Sequence, residues 1–154
     1  MSNVLRLALA QMTSTNRHAG NIAWMEMAAR DAAADGAHML ALPEASGLVN
    51  KERRDALTQV VDWEKDPFIQ ACKEAAARNG IWIQTGSTPV IGPKGEDGAR
   101  FLNHGDMIDP SGEIVASYDK IHLFDVFLDG KPPTGESRRY APGEKAVMAQ
   151  TTWG

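Results

Sequence analysis

The feature that most constrains the fold is a strand-helix-strand pattern near the start of the chain. Residues 4–10 form a short apolar run that ends in a polar cluster, as a buried strand does before a loop. From Asn21 onward apolar residues recur at helical spacing, and Gly36 stands where a glycine commonly ends a helix. Residues 39–42 form a second apolar run, which Pro43 stops. The short connections predict a right-handed crossover onto a parallel pair of strands.

Downstream segments predict a second helix and a hairpin. Asp66 can cap a helix whose first turn contains Pro67. Residues 81–87 are rich in β-branched and aromatic side chains, which favours a third strand. Residues 101–108 and 113–118 flank an Asp-Pro-Ser-Gly turn, so they predict a hairpin. We therefore expect an α/β fold with a mixed sheet.

The remaining segments carry weaker patterns. Residues 51–61 are compatible with a helix but strongly charged, so we place them on the surface. Residues 91–100 are rich in glycine, proline and charge and predict a loop, and residues 128–145 predict a long irregular segment, of the kind that is usually functional or disordered. Residues 146–149 predict one more strand.

Composition excludes several classes of partner. The chain has 154 residues, 43% of them hydrophobic and 23% charged, which suits one soluble domain with a packed core. Its 16 basic residues are scattered and outnumbered by 20 acidic ones, so a nucleic-acid partner is not expected. No apolar run approaches the roughly 20 residues of a membrane span. The first residues lack a signal-peptide pattern, and we expect a cytoplasmic protein.

The single cysteine and two histidines predict structural roles. Cys72 lies on the apolar stripe of the second predicted helix, so we expect a buried and unreactive thiol. One cysteine permits neither an intrachain disulfide nor a multi-cysteine metal site. His104 and His122 lie near carboxylates at spacings that match no metal motif, and we expect hydrogen-bonded structural histidines. We assign no metal and no cofactor.

Two charged residues at strand ends are candidates for chemistry. Glu44 follows an apolar strand and a proline, where partial desolvation can raise its pKa into the range of a general base. A solvated loop acid fits the same position equally well. Lys120 follows the predicted hairpin and could donate to a developing oxyanion, but a surface lysine paired with Asp119 also fits.

Motifs of three well-known enzyme classes are missing from the sequence. There is no Gly-x-Gly-x-x-Gly after the first strand, no Walker-type phosphate loop and no Gly-x-Ser-x-Gly elbow. Dinucleotide enzymes, P-loop NTPases and α/β-hydrolases are therefore disfavoured.

Other short motifs follow one another along nearly the whole chain. They are Leu-Ala-Leu-Ala-Gln-Met at 7–12, Leu-Pro-Glu at 42–44, Phe-Leu-Asn at 101–103 and Ile-Asp-Pro-Ser-Gly at 108–112. Tyr-Asp-Lys-Ile-His-Leu-Phe-Asp at 118–125 continues into Gly-Glu-Ser at 135–137 and Pro-Gly at 142–143. Their order and spacing resemble the carbon–nitrogen hydrolase (nitrilase) superfamily, and within it the Nit-like, omega-amidase-like branch.

The resemblance implies a Glu-Lys-Cys triad. By its motif Glu44 corresponds to the general base, and Lys120 to the residue that stabilises the tetrahedral intermediate. Glu136 resembles the family's second glutamate, which helps to position the lysine and the substrate, although an exposed loop acid also fits. The implied reaction is two-step acyl transfer through a thioester, which converts a small carboxylate-bearing amide to an acid and ammonia or an amine.

The resemblance also implies that part of the domain lies elsewhere. In the family the nucleophilic cysteine follows the strand after the Pro-Gly turn, and these 154 residues stop before it. We therefore expect residues 1–154 to be the N-terminal part of one carbon–nitrogen hydrolase domain, inactive alone. The implied fold is part of a four-layer α-β-β-α sandwich, in a family that is usually homo-oligomeric.

Two alternatives make different predictions. A non-catalytic binding or regulatory chain would retain half of the fold and pair with a complementary chain. An unrelated α/β domain would leave Glu44 and Lys120 far apart. The enzyme hypothesis requires their side chains to converge on one pocket, with a small-molecule amide as the partner.

Overall fold

The computed structural model describes residues 4–95, 98–127, 129 and 134–154. The strands are β1 (Leu7–Leu9), β2 (Met39–Ala41), β3 (Trp82–Gln84), β4 (Thr88–Gly95), β5 (Gly98–Ile108), β6 (Ile114–Asp119), β7 (Asp125–Val126) and β8 (Thr134–Gly135). The helices are α1 (His18–Ala34), α2 (Arg53–Ala56) and α3 (Pro67–Asn79), with short 3-10 turns at Trp63–Lys65 and Glu136–Arg138.

Six strands form one mixed sheet, which confirms the predicted α/β class. β1 pairs with β2 in parallel, with Ala8 opposite Leu40, and β2 pairs with β3 in parallel. β5 is antiparallel to β3, β4 and β6. The carboxyl end of β5 pairs with β3, where Ile108 lies opposite Ile83. The parallel pair and the hairpin were both predicted from the sequence.

Helices α1 and α3 pack on one face of this sheet, which we call the helix face. The core between these helices and the sheet contains Met25, Ala29, Leu40, Phe68, Cys72, Ala75, Ile83 and Ile108. The Asp66 side chain accepts hydrogen bonds from the backbone N–H groups of Phe68 and Ile69 at 2.9 and 3.1 Å, so α3 is capped as predicted. Gly80 then ends α3 in the left-handed conformation.

The opposite face of the sheet, which we call the open face, has less cover. Leu7 and Leu9 point to it from β1 and are exposed, so the expectation of a buried first strand was wrong. The edge position of β1 explains the difference, together with the absence of any helix among the described residues on that face. Trp153 lies over part of the open face, with its ring 6.2 Å from that of Trp82 and 5.4 Å from that of His38.

Three segment predictions require correction. Residues 91–100 belong largely to β4 and β5, because a register shift between Ile91 and Lys94 accommodates Pro93 within the hairpin. Only Arg53–Ala56 is helical in residues 51–61, and Ala56 is buried. Residues 146–149 form no strand, since they pair with no strand among the described residues.

The long segment predicted to be irregular is only partly so. It contains β8, which pairs with β7, and the 3-10 turn that carries Glu136. Residues 128 and 130–133 of this prediction lie outside the described residues. Within the described part of the chain, no helix has both the length and the apolarity needed to cross a membrane.

Candidate active site

Glu44 follows β2, in a turn that is fastened to the segment after β3. The backbone N–H of Ala45 donates to Ser87 Oγ at 2.8 Å, and Ser46 Oγ donates to the Thr85 carbonyl at 2.6 Å. Gly86 has a φ of +66°, and a Cβ there would overlap the Pro43 carbonyl. The turn is therefore held in one geometry, with the Glu44 side chain 60% exposed at the open face.

Lys120 directly follows β6 at the same edge of the sheet. β6 runs in the direction of β2, because two antiparallel pairings separate it from β3, and the carboxyl ends of both strands therefore meet. The Lys120 backbone N–H donates to the Asn103 carbonyl at 2.9 Å, which fixes where its side chain begins. The enzyme hypothesis required Glu44 and Lys120 to meet at one edge of the sheet in this way.

The Lys120 ammonium lies between two glutamates. Its Nζ donates to Glu44 Oε1 at 3.0 Å and to Glu136 Oε1 at 3.0 Å, and it lies 2.9 Å from Glu136 Oε2. Glu136 Oε2 also accepts from the backbone N–H of Phe124 at 2.8 Å. The hypothesis of an unrelated domain, which predicted Glu44 and Lys120 far apart, was therefore wrong. The suggested pairing of Lys120 with Asp119 is replaced by the two glutamates.

Asn103 joins this cluster, although the sequence suggested no role for it. Its Nδ2 donates to Glu44 Oε1 at 2.8 Å, so the same oxygen accepts from Asn103 and from Lys120. The only sequence signal was its presence in the Phe-Leu-Asn motif of the resemblance. The contact spans 59 positions of the chain, which no local pattern indicates.

The electrostatics of the cluster favour the charged forms of Glu44 and Lys120. The hydrogen bond from Lys120 lowers the pKa of Glu44 below 4.5, against the smaller opposing effect of burial. We expected desolvation to raise this pKa, and that expectation was wrong because an ammonium is the direct partner. Burial alone lowers the pKa of Lys120, but the hydrogen bonds to Glu136 and Glu44 outweigh it and leave the pKa above 10.5.

A cavity of about 290 Å³ opens beside these side chains on the open face. Glu44, Asn103 and Lys120 line one part of it, and Gln84 and Tyr118 line another. A carboxylate, an ammonium and an amide that converge on one cavity can move a proton and stabilise a negative oxygen.

Cys72 is remote from this cavity in the architecture. It is completely buried in the core between α3 and the sheet, and burial raises the pKa of its thiol well above the usual value. Its predicted structural role therefore agrees with its surroundings. His104 is also buried and hydrogen-bonded as predicted. His122 is exposed and makes no hydrogen bond within the described part of the chain, so the prediction for His122 was wrong.

The fold and this glutamate-lysine cluster agree with a clear family assignment. The profile of the carbon-nitrogen hydrolase family matches residues 6–154, and the chain belongs to that family. Its relatives place it in the Nit-like, omega-amidase-like branch.

Two kinds of relative support the assignment. The chain is 30% identical to mouse omega-amidase NIT2 over 154 residues, covering 98% of this chain and 52% of the relative. It is 40% identical to the deaminated glutathione amidase of Yersinia enterocolitica over 89 residues, covering 57% of this chain and 30% of the relative. The chain therefore spans about half or less of the length of these relatives.

Solved structures show the same fold. The NitFhit protein of C. elegans superposes with a TM-score of 0.79 at 25% identity, covering 96% of this chain and 35% of that one. An amidase from Nesterenkonia sp. superposes with a TM-score of 0.72 at 25% identity, covering 97% of this chain and 52% of that one.

Proposed function

We propose that this chain supplies the base, the oxyanion-stabilising lysine and the second glutamate of an amidohydrolase. The observation that carries the proposal is the Lys120 ammonium held between Glu44 and Glu136 beside an open cavity. The substrate class is a small amide that carries a carboxylate, since the relatives include omega-amidases. The nucleophile is a cysteine from polypeptide outside these 154 residues, and the chain alone is inactive.

Glu44 is suited to the role of general base by the way its oxygens are used. Oε1 accepts from Lys120 and Asn103, which leaves Oε2 for the proton of a nucleophile. The lowered pKa of Glu44 keeps the carboxylate ionised at neutral pH, so it is ready to accept that proton.

Lys120 is suited to stabilise the oxyanion. Attack of the thiolate on the amide carbon forms a carbon–sulfur bond and places negative charge on the carbonyl oxygen, which the ammonium stabilises. Collapse breaks the carbon–nitrogen bond, and protonated Glu44 returns its proton to the leaving amine. Water then attacks the thioester and gives a proton to Glu44. The carbon–sulfur bond breaks to release the acid, and Glu44 returns the proton to the thiolate.

Glu136 orients the lysine in this scheme. Both of its oxygens lie within 3.0 Å of Lys120 Nζ, and one is fixed by the Phe124 N–H. A carboxylate held in this way keeps the ammonium charged and directed towards the cavity.

The test uses the longer protein that the proposal requires. The reading frame is expected to continue past Gly154 into a cysteine-bearing strand, and the longer product to release ammonia from the monoamide of succinic acid. Glu44→Gln is expected to lower kcat/KM about a hundredfold or more. Glu113→Gln, at an exposed turn, is the matched control. A longer protein that hydrolyses no small carboxylate-bearing amide contradicts the proposal.

A non-catalytic binding chain is the alternative, favoured by the burial of the chain's only cysteine. A stop codon directly after Gly154 would support it, together with binding of a carboxylate-bearing amide without turnover.

A further inference from the structure

His104 is held between two aspartates directly behind the candidate active site. Its Nδ1 lies 2.7 Å from Asp119 Oδ1, and its Nε2 lies 3.1 Å from Asp106 Oδ1. The ring is almost fully buried, and Trp63 stacks on it with a centroid distance of 5.6 Å. Three elements of the fold therefore meet at this one side chain.

The arrangement requires the charged form of the histidine. A neutral imidazole has one N–H, whereas both ring nitrogens here face carboxylates that only accept. Asp106 Oδ1 already accepts from Ser117 Oγ at 2.6 Å, and Asp106 Oδ2 is buried without a hydrogen-bond partner among the described residues. An imidazolium donates to both aspartates and reduces the negative charge around the ring, which a neutral imidazole does not. Burial lowers the pKa of His104, but the hydrogen bonds to both aspartates raise it to about 9.

The His104–Asp119 pair and the candidate active site lie on opposite faces of β5 and β6. His104 lies opposite Asp119 in the β5–β6 pairing, and side chains alternate between faces along a strand. His104 and Asp119 therefore point away from the cavity, while their chain neighbours Asn103 and Lys120 point into it. The Lys120 N–H donates to the Asn103 carbonyl one step beyond the His104–Asp119 pair.

Further contacts make Asp119 the anchor for the start of Lys120. The Gly143 N–H donates to the Lys120 carbonyl at 2.9 Å, and a Cβ on Gly143 would overlap the Asp119 carbonyl. β6 ends at Asp119, so beyond it the Lys120 backbone is held only by its bonds to Asn103 and Gly143 among the described residues. The position of its ammonium depends on this last pair of residues.

We propose that His104 is a positioning residue for Lys120, acting as an imidazolium that ties Asp119 to Asp106 and so directs the lysine towards Glu44. This role deepens the proposed function, on which its catalytic meaning rests. His104 touches no substrate. It holds the strand end from which the ammonium extends.

The test measures the pKa of the Glu44 carboxyl in the 154-residue chain by carbon-detected NMR titration. The ammonium of Lys120 lowers this pKa, so a displaced lysine allows it to rise towards 4.5. Two variants separate positioning from direct electrostatics. His104→Gln removes a positive charge and Asp119→Ala removes a negative one, so direct electrostatic effects on Glu44 have opposite signs. Loss of positioning raises the pKa in both variants.

The control is Asp109→Asn, which disturbs the same hairpin at its turn, where the Asp109 side chain accepts from Ser111 and Glu113. This control is expected to leave the pKa of Glu44 unchanged. A pKa of Glu44 that falls or stays constant in Asp119→Ala overturns the proposal, and so does one that stays constant in a folded His104→Gln chain. If the longer protein hydrolyses no amide while both variants still raise the pKa, the proposed function fails and the positioning role stands.

Discussion

Lys120 Nζ lies 3.0 Å from Glu44 Oε1, although 76 positions of the chain separate the two residues. Two strand ends at one edge of the sheet bring them together, and Glu136 closes the cluster from the 3-10 turn after β8. The charges are thus organised by the sheet topology, and each side chain depends on a contact distant in sequence.

Replacing the lysine tests its proposed role in the reaction. In the longer protein, Lys120→Ala is expected to lower kcat about a hundredfold or more, because no cation remains to stabilise the oxyanion. Lys51→Ala, at an exposed position, is expected to leave steady-state kinetics unchanged. Equal losses in both variants would contradict a specific role for Lys120.

Replacing Asn103 tests the hydrogen bond that it donates to Glu44 Oε1, the oxygen that also accepts from Lys120. The Asn103 hydrogen bond lowers the pKa of Glu44, so Asn103→Ala is expected to raise that pKa and to move the acidic limb of the kcat/KM profile to higher pH. Asn16→Ala is an exposed control. An acidic limb that stays in place after loss of the Asn103 amide would show that the contact has no electrostatic effect.

The buried histidine predicts how stability changes with pH. The folded pKa of His104 is about 9, above its usual 6.5. The stabilisation is therefore complete below about pH 6.5 and is lost as the pH rises through about 9, with an upper limit near 3 kcal/mol. Thermal unfolding of the chain from pH 6 to 10, compared with His104→Gln, measures this difference. Parallel curves for the two proteins would contradict it.

A pair of glycine substitutions tests the turn that carries Glu44. Gly86→Ala is expected to destabilise the chain by roughly 1–3 kcal/mol or more, because φ is +66° and the new methyl group meets the Pro43 carbonyl. Gly20→Ala, at an exposed position in α1 with room for a Cβ, is expected to stabilise it by up to about 1 kcal/mol. Urea unfolding measures both changes, and similar effects at the two positions would contradict the argument.

Local signals predicted much of the fold. Asp66 marked the start of α3 because an N-terminal cap depends on residues adjacent to the helix. The parallel strands followed from apolar runs of the right length. The β4–β5 hairpin was missed because Pro93 and nearby glycines are typical of loops, and only the cross-strand register shows how they are accommodated.

The sequence predicted the charged residues of the candidate site, but it did not predict the direction of the pKa shift of Glu44. Strand ends and motifs indicated Glu44 and Lys120, and the structure brings them together. The direction of the pKa shift of Glu44 depends on which side chain donates to it, and that partner is distant in sequence. Asn103 and the pairing of His104 with Asp119 were beyond local patterns for the same reason.

The contact between Trp153 and Trp82 gives the chain an optical property of its own. Two indoles 6.2 Å apart at 65° are close enough to couple electronically, and Trp153 belongs to the segment that lies over part of the open face. Detachment of that segment from the sheet therefore changes the near-ultraviolet circular dichroism and the fluorescence of the protein without any added label.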